Sequence, residues 1–516
     1  TFTTMSTGIR KTLVSSIQLQ DINHRADEIP QEVKEEKTYS IEQAVEEIGF
    51  GRFHVLLFLI MGSANIVEAI EIMLLAVVSP EIRCEWRLED WQVALVSTMV
   101  FFGFMTCGVL SGYVADRYGR WKVVFGAFIW AAYFSLLTSF SPSYGWFIFL
   151  RTMVGCGVAG TSQGFVLKTE FIPAKYRGYL LPLSQIFWML GAVLMVFLAM
   201  TVIPSLGWRW MIRISIIPSI ILLFLFQFIP ESARYNVSAG NVSGALQTLQ
   251  RIARMNGSSL PEGKLVEPLV TQRGSFYILV SSTFRRTSML LWYSWVFIYF
   301  KKCFVFPVLT RFVASFSYYG SVLSSSELLE KNLLCITNAE YEHKINPEVT
   351  PCYCIPFGNS DYHTMLISSL GEISLLPLNI IMLNTLGRKY SMAILMICSG
   401  IFFLLLSICS TLFGFTVLLF LLRSIVAMNF NAVYIYTAEV YPTSVRSIGL
   451  GFCTSFSRIG GMIAPFIAQV LMSKSVITAL VPFAVASFLC SVGALLLPIE
   501  TKGRALLVGQ QYDSRK

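Results

Sequence analysis

An apolar run near the start of the chain carries three polar side chains at regular spacing. In HVLLFLIMGSANIVEAIEIMLLAVV, Asn65, Glu68 and Glu71 stand three residues apart, so in a helix they share one face near its middle. A carboxyl group inside an apolar helix is costly and normally faces a cavity or a charged partner. A carboxyl group whose exposure changes can also take up and release a proton. This face is therefore predicted to bind a solute or a proton.

Other ionisable side chains lie in apolar runs farther along the chain, at Arg151, Glu372, Arg423 and Arg458. They are candidate partners for the two acids. One interpretation places them in the same site, and the other has them pair with the acids only to hold helices together. Both interpretations stay open at this point.

Polar and aromatic side chains in the same runs supply the rest of a candidate cavity. Aromatic faces beside carboxylates suit an organic cation, whereas the arginines leave an organic anion open. Any single Tyr or Trp in such a run is more often a packing or interfacial residue than a ligand contact. The cavity candidates are Gln185, Trp188, Tyr318, Tyr319, Asn429, Asn431, Tyr434 and Tyr436.

The elements that carry these residues are predicted to be membrane-spanning helices. The chain has 516 residues, of which 55% are hydrophobic and 13% charged. Its apolar residues form runs that can cross roughly 30 Å of hydrocarbon with about 20 residues. An all-α polytopic membrane protein with twelve spans is expected. The spans are 54–79, 91–115, 123–141, 145–168, 179–203, 209–229, a disturbed one in 287–329, 362–384, 391–411, 415–437, 448–472 and 476–498.

The chain has a net charge of +9, and its basic residues lie mainly in the loops between the apolar runs. This distribution does not indicate a nucleic-acid partner. Basic residues concentrate on alternate loops, which the positive-inside rule places in the cytosol together with both termini. The lipid bilayer is therefore the expected surrounding of the chain. The basic residues include Arg117, Arg120, Lys122, Arg177, Arg234, Arg388, Lys389 and Arg446.

The second part of the sequence repeats the first. The turn DRYGRWK, from Asp116 to Lys122, returns in shortened form as NTLGRKY at Asn384 to Tyr390, at an offset of 268. FLRTMVG matches LLRSIVA at an offset of 272, and TEFIPAKYRG matches AEVYPTSVRS at 269. Matches in one order at nearly one offset indicate a duplicated six-helix unit. Two parallel six-helix halves are typical of transporters that move around a central site.

These motifs resemble those of the major facilitator superfamily. GYVADRYGRWK is similar to its signature loop, and PESARY and PIETKG to the motifs that end each half in its sugar and organic-ion transporters. The stretches IEQAVEEIGFGRF, SLGWRW, PESARYNVSAGN, YIYTAEVYPT and LPIETKGRAL also resemble the synaptic-vesicle-two-related proteins. The resemblance implies twelve helices in two pseudo-symmetric six-helix halves and transport of an unspecified solute. It leaves open whether the protein resides in the membrane of a vesicle, in that of another organelle or in the plasma membrane.

The same resemblance implies that charges near the repeated turns open and close one side of the transporter. We expect Asp116 to cap the next helix or pair with Arg120, and further pairs to join Glu170 with Arg177, Glu231 with Arg234 and Glu439 with Arg446. Such pairs matter only as a network that differs between states, because isolated surface pairs contribute about 0–1 kcal/mol. The predicted gating charges are Asp116, Arg117, Arg120, Glu170, Arg177, Glu231, Arg234, Arg388, Glu439 and Arg446.

The halves set the expected domain boundaries. These are an N-terminal cytosolic segment at 1–52, one half at 53–230, a central cytosolic loop at 231–286, the other half at 287–498 with an outer loop at 330–361, and a cytosolic tail at 499–516.

The seventh span is interrupted by Lys301, Lys302, Pro307 and Arg311. Cations inside a span are costly. Removing 298–313 leaves one continuous helix, which suggests a retained intron or an insertion. The rival interpretation starts the seventh helix near Phe312.

The leading functional hypothesis is a secondary transporter of a small organic solute, an organic cation or another organic ion, with protons as a candidate coupling ion. The alternative is a membrane receptor or scaffold that has lost transport. An enzyme is not expected, because the chain has neither HExxH nor GxSxG. An ATP-driven pump is not expected either, because the chain has no Walker-type GxxxxGK(S/T) sequence. No cofactor and no metal site are expected.

Overall fold

Helices make up almost all of the chain that the computed structural model describes. The described residues are 37–161, 163–173, 176, 180, 183–266, 305–330, 357–408, 411–440, 446–472, 474–497 and 500–501. Within them, nine helical stretches are long and apolar enough to cross a membrane. The prediction of an all-α polytopic membrane protein is confirmed.

The first half contains the first six predicted spans. The fourth and sixth spans are each built from two consecutive helices. Its helices are α1 (Ile41–Ile48), α2 (Arg52–Trp86), α3 (Asp90–Tyr118), α4 (Arg120–Thr138), α5 (Tyr144–Thr161), α6 (Gln163–Phe171), α7 (Gln185–Leu206), α8 (Trp208–Ser215) and α9 (Ile217–Phe226). Two shorter helices follow, α10 (Ala233–Ser238) and α11 (Val242–Asn256).

The second half contains the other six predicted spans. The eleventh span ends in a π-helical turn, Phe466–Leu471, directly after Pro465. Its helices are α12 (Val305–Glu330), α13 (Asn359–Ser374), α14 (Leu376–Thr385), α15 (Arg388–Leu405), α16 (Leu412–Val440), α17 (Arg446–Pro465) and α18 (Val476–Leu495).

The two repeated turns lie at the same end of the bundle, which we call the turn end, and the opposite end is the far end. Gly119 and Gly387 directly precede α4 and α15, with φ of 110° and 86°. Such angles favour glycine. A carboxylate sits beside each glycine: that of Glu231 accepts from the backbone N–H of Trp121, and that of Glu500 accepts from Arg388 N at 2.8 Å. The sequence repeat therefore corresponds to a structural repeat.

The buried core is arranged differently at the two ends. At the far end, one apolar cluster contains residues of both halves, such as Val77 and Trp208 together with Leu323 and Phe483. Toward the turn end, each half has its own cluster, one around Phe226 and one around Tyr436. Among the described residues, the two halves therefore share an apolar core only toward the far end.

A short cap covers the turn end of the first half. Strand β1 (Thr38–Tyr39) pairs in parallel with β2 (Lys264–Leu265). Asn256, the last residue of α11, accepts a hydrogen bond from Phe53 N at 3.0 Å and donates to Gly49 O at 3.2 Å. The chain before α2 is thereby fastened to the loop that follows the first half.

The helix of the seventh span starts before the residue at which the rival interpretation places its start. Helix α12 begins at Val305, so it includes Pro307 and Arg311 and starts before Phe312. Arg311 is buried and donates to the hydroxyls of Thr437 and Thr454, both at 3.1 Å. Residues 298–304 lie outside the described part, and the retained-intron hypothesis stays a prediction that transcript sequencing tests.

Candidate functional site

The first buried ion pair joins two helices of the first half. Glycines allow α3 and α5 to approach closely, because a Cβ at Gly155 would collide with the carbonyl of Val100. One turn before that contact, Arg151 Nη1 donates to Glu71 Oε2 of α2 at 2.8 Å. Their side chains are 1% and 6% exposed, so the pair lies away from water. The predicted Glu71 and Arg151 are thus brought together.

A second buried pair lies in the other half. Arg423 of α16 donates to Glu372 of α13 at 2.6 Å, and both side chains are buried. The hydroxyl of Tyr318 also donates to Glu372, at 3.2 Å. Trp188 of the first half donates its indole N–H to that hydroxyl at 2.7 Å. A chain of hydrogen bonds therefore crosses the interface between the halves.

The third pair itself crosses that interface. Arg458 of α17 lies 3.8 Å from Glu68 of α2, and it donates to the hydroxyl of Tyr319. The Arg458 guanidinium also lies 3.6 Å from the centroid of the Phe104 ring, close enough for a cation–π contact. This pair is longer than the other two. Of the three acids, Glu68 therefore has the loosest partner.

The remaining predicted cavity residues have varied surroundings. Asn65 donates to the carbonyl of Ser184 at 3.4 Å, and Gln185 is half-buried at the start of α7. Asn429 is buried, with no hydrogen-bond partner for its carbonyl oxygen among the described residues. Tyr436 packs into the apolar cluster of the second half toward the turn end.

Two buried cations near the interface were not placed in the site by sequence. Lys168 of α6 donates to the hydroxyl of Ser184 at 2.7 Å and, with Asn65, Glu68 and Phe165, lines a small pocket. The Arg311 guanidinium lies 4.3 Å from the centroid of the Tyr434 ring. Lys168 is the last residue of its predicted span, and Arg311 interrupts the predicted seventh span. Their positions inside spans were the signal that could have identified them.

Charges near the turns form contacts within each half. Arg120 pairs with Glu170 in the first half, and Arg388 pairs with Glu439 at 3.0 Å in the second. These pairs occupy equivalent positions of the repeat. They join helices of one half, so these described contacts are not a latch between halves. The predicted gating role stays a prediction.

One predicted turn-end pair was wrong. Glu231 does not bind Arg234, because its carboxylate accepts backbone N–H groups of Trp121 and Ser232. Arg234 instead lies 3.2 Å from Glu42. Arg117 is exposed and donates to the hydroxyl of Tyr113. Arg177 and the side chains of Asp116 and Arg446 lie outside the described part of the chain.

An unpredicted ion pair joins the halves at the far end. Arg83, near the end of α2, lies 3.2 Å from Glu327 of α12 and 3.0 Å from Asp90 of α3. Arg83 and Glu327 are 5% and 1% exposed. A buried pair across the interface requires the far ends of the halves to be closed.

Family profiles match both halves of the chain. The profile described as "Sugar (and other) transporter" matches residues 22–339, and the profile described as "Major Facilitator Superfamily" matches residues 359–511.

Named relatives match nearly the full length. The chain is 68% identical to "Putative transporter SVOPL" of Danio rerio, over 97% of this chain and 98% of that protein. It is 39% identical to the "Synaptic vesicle 2-related protein" of Rattus norvegicus, over 91% of this chain and 82% of that one.

Solved structures share the fold. The proton:xylose symporter XylE bound to 6-bromo-6-deoxy-D-glucose superimposes with a TM-score of 0.60 at 15% identity, over 88% of this chain and 98% of that one. The inward open conformation of the xylose transporter XylE from E. coli gives a TM-score of 0.59, also at 15% identity, with the same coverage. At this identity the likeness concerns the twelve-helix fold alone.

Proposed function

This chain belongs to the major facilitator superfamily, and from that premise we propose that it moves a small organic ion across a membrane by alternating access. The proposal rests chiefly on one observation: the buried charges of both halves meet at the interface between them. Glu68 and Arg458 come from opposite halves, and Trp188 and Tyr318 link the other buried network across the same interface. A solute bound there contacts both halves, so its binding can favour one arrangement over another.

We further propose that the turn end faces the cytosol and that the structure represents a state closed toward the outside. The basic loops at the turn end support this orientation through the positive-inside rule. The shared core and the Arg83–Glu327 pair seal the far end. In this state a solute would enter or leave the interface from the cytosolic side.

Glu68 is our candidate for the proton-linked acid. Its only described cationic partner lies 3.8 Å away, whereas Glu71 and Glu372 hold arginines at 2.8 Å and 2.6 Å. Protonation of Glu68 would release Arg458, and with it a contact between the halves. A proton could in this way be linked to the transport cycle, as the name of the structurally similar proton:xylose symporter states for that protein.

The test is uptake by the full chain reconstituted in sealed vesicles. A mixture of organic anions and cations is offered with and without an imposed pH gradient, and the accumulated solutes are read by mass spectrometry. We expect accumulation by the parent chain and its loss in Glu71→Gln, because that change leaves the buried Arg151 without a counter-charge. In Glu68→Gln we expect uptake that no longer responds to the pH gradient.

The matched control is Glu85→Gln. Glu85 also pairs with an arginine, Arg209, at 2.6 Å, but both side chains are about one-third exposed at the far end. This variant should transport like the parent. If the parent chain is folded and correctly oriented yet accumulates no solute, the proposal falls and a receptor or scaffold role takes its place.

A further inference from the structure

Cations outnumber acids among the described ionisable side chains at the centre of the bundle. Each of the three acids, Glu68, Glu71 and Glu372, has an arginine within 4.0 Å. Two further cations, Lys168 and Arg311, have no described carboxylate within that distance. Their relative exposures are 2% and 5%. A buried charge without a counter-charge is costly, and in a membrane protein it normally marks a functional site.

Both cations keep donors available. The Nη2 atom of Arg311 is buried and has no hydrogen-bond partner among the described residues. The described hydrogen bonds of that guanidinium go to the hydroxyls of Thr437 and Thr454. Lys168 donates one described hydrogen bond, to Ser184, although an ammonium carries three N–H donors. Neutral hydroxyl partners do not compensate two positive charges. A negatively charged acceptor would neutralise both cations and accept their remaining hydrogen bonds.

Aromatic rings connect the two cations across the interface. The Lys168 ammonium lies 5.4 Å from the centroid of the Phe165 ring. That ring meets Tyr434 of the other half edge to face, with centroids 4.8 Å apart, and Tyr434 stacks on Arg311. These contacts link a cation of one half to a cation of the other, and the apolar surface of two rings lies between the two cations. This arrangement suits a molecule that has an anionic group and an unsaturated or aromatic body.

We propose that Lys168 and Arg311 form an anion-binding site and that the transported solutes are organic anions bearing a carboxylate, sulfate or phosphate group. The site lies on the turn-end side of the buried carboxylates, since Lys168 and Thr437 each precede a turn-end acid, Glu170 and Glu439, by two residues. An anion held by both cations would draw the turn ends of the halves together. This inference rests on the proposed transport function, and its test separates the two.

Binding is measured first, on the purified full chain, by thermal unfolding with benzoate, phenyl sulfate or succinate. Benzamide and benzylamine serve as the matched neutral and cationic probes. We expect the anions to raise the melting temperature and the other two probes to leave it unchanged, because ligand binding to the folded state stabilises it. In Lys168→Gln and Arg311→Gln the affinity for the anions should fall roughly tenfold or more.

The control is Arg213→Gln. Arg213 also has no described carboxylate within 4.0 Å and lies on aromatic rings, Phe140 and Trp210, but it is remote from the interface. This variant should bind anions like the parent. Without ligand, Arg311→Gln should unfold at the same temperature as the parent or higher, because it removes an uncompensated buried charge. A clearly lower melting temperature together with unchanged anion binding would assign Arg311 a structural role and overturn the inference.

Uptake of the same probes into vesicles separates the inference from the proposed function. Anions that bind but are never transported support the site and overturn transport. Uptake of benzylamine or benzamide, with no anion binding, supports transport and overturns the anion site. If no anion shifts the melting temperature of the parent chain, the anion site is overturned whatever the uptake shows.

Discussion

The far end and the turn end of the bundle are held together by different interactions. At the far end, both halves contribute to one apolar cluster, and the buried pair of Arg83 and Glu327 crosses between them. At the turn end, each half has its own cluster, and the ion pairs described there, such as Arg388 with Glu439, stay within a half. Among the described residues, the contacts that resist separation of the halves therefore lie at the far end and around the central charges, and not at the turn end. A transport cycle must break those contacts to open that end.

The largest difference between the two ends is expected from Arg83→Met, which removes the ion pair of the far end. This change leaves Glu327, which is 1% exposed, without the arginine at 3.2 Å. Breaking one side of a buried pair typically costs about 3–5 kcal/mol. Because the cost arises only when the far end is closed, the variant should open there. In a background without other reactive cysteines, Val77→Cys should then become accessible to a membrane-impermeant maleimide.

A second change tests whether the opening comes from the buried acid that has lost its arginine or from general damage. Adding Glu327→Gln to Arg83→Met removes the buried acid that has lost its arginine, so the melting temperature should recover and the introduced cysteine should again be protected. If the single variant is as stable as the parent and its cysteine stays protected, the far-end pair is not what holds the halves closed.

The turn end is expected to respond to backbone strain within one half. Gly119→Ala places a side chain at φ of 110° beside the Glu231 carboxylate. Such conformations cost about 1–3 kcal/mol for residues other than glycine. The melting temperature should fall, while the labelling of Val77→Cys at the far end should stay low. A similar fall in melting temperature is expected for Gly387→Ala, because Glu500 lies beside Gly387 as Glu231 lies beside Gly119.

The matched control is Gly126→Ala in α4. Gly126 has open space where a Cβ would lie, so alanine should be neutral or stabilising by up to about 1 kcal/mol through helix propensity. Equal destabilisation by Gly126→Ala and Gly119→Ala would show that the turn has no special demand for glycine.

Most of the fold could be predicted from sequence because its determinants are local. Apolar runs gave the spans, and the repeated turn at Asp116 and Asn384 indicated the two halves. The conformational state of the bundle, in contrast, is not determined by local sequence. Whether the far end is open or closed depends on pairs such as Arg83 with Glu327, whose residues are 244 positions apart.

The candidate site could be predicted only in part, for a related reason. Spacing alone placed Glu68 and Glu71 on one helix face, and both have buried arginine partners in the structure. From sequence, Arg311 is predicted only to interrupt the seventh span, because the threonine hydroxyls that accept its hydrogen bonds, Thr437 and Thr454, are not identifiable there. Those partners come from distant helices, so the single sequence did not reveal them.

The smallest expected effect belongs to the ion pairs of the turn end. Arg388→Gln removes the contact with Glu439 at 3.0 Å, where the side chains are 16% and 24% exposed. A pair that water reaches contributes about 0–1 kcal/mol, and high salt weakens it further. The melting temperature should therefore change little, and the difference from the parent should shrink at high salt. Because the pair joins helices of one half, far-end labelling of Val77→Cys should not change. If Arg388→Gln alone opens the far end as strongly as Arg83→Met does, the two ends are coupled through this pair, and the predicted gating role of the turn charges gains its first direct support.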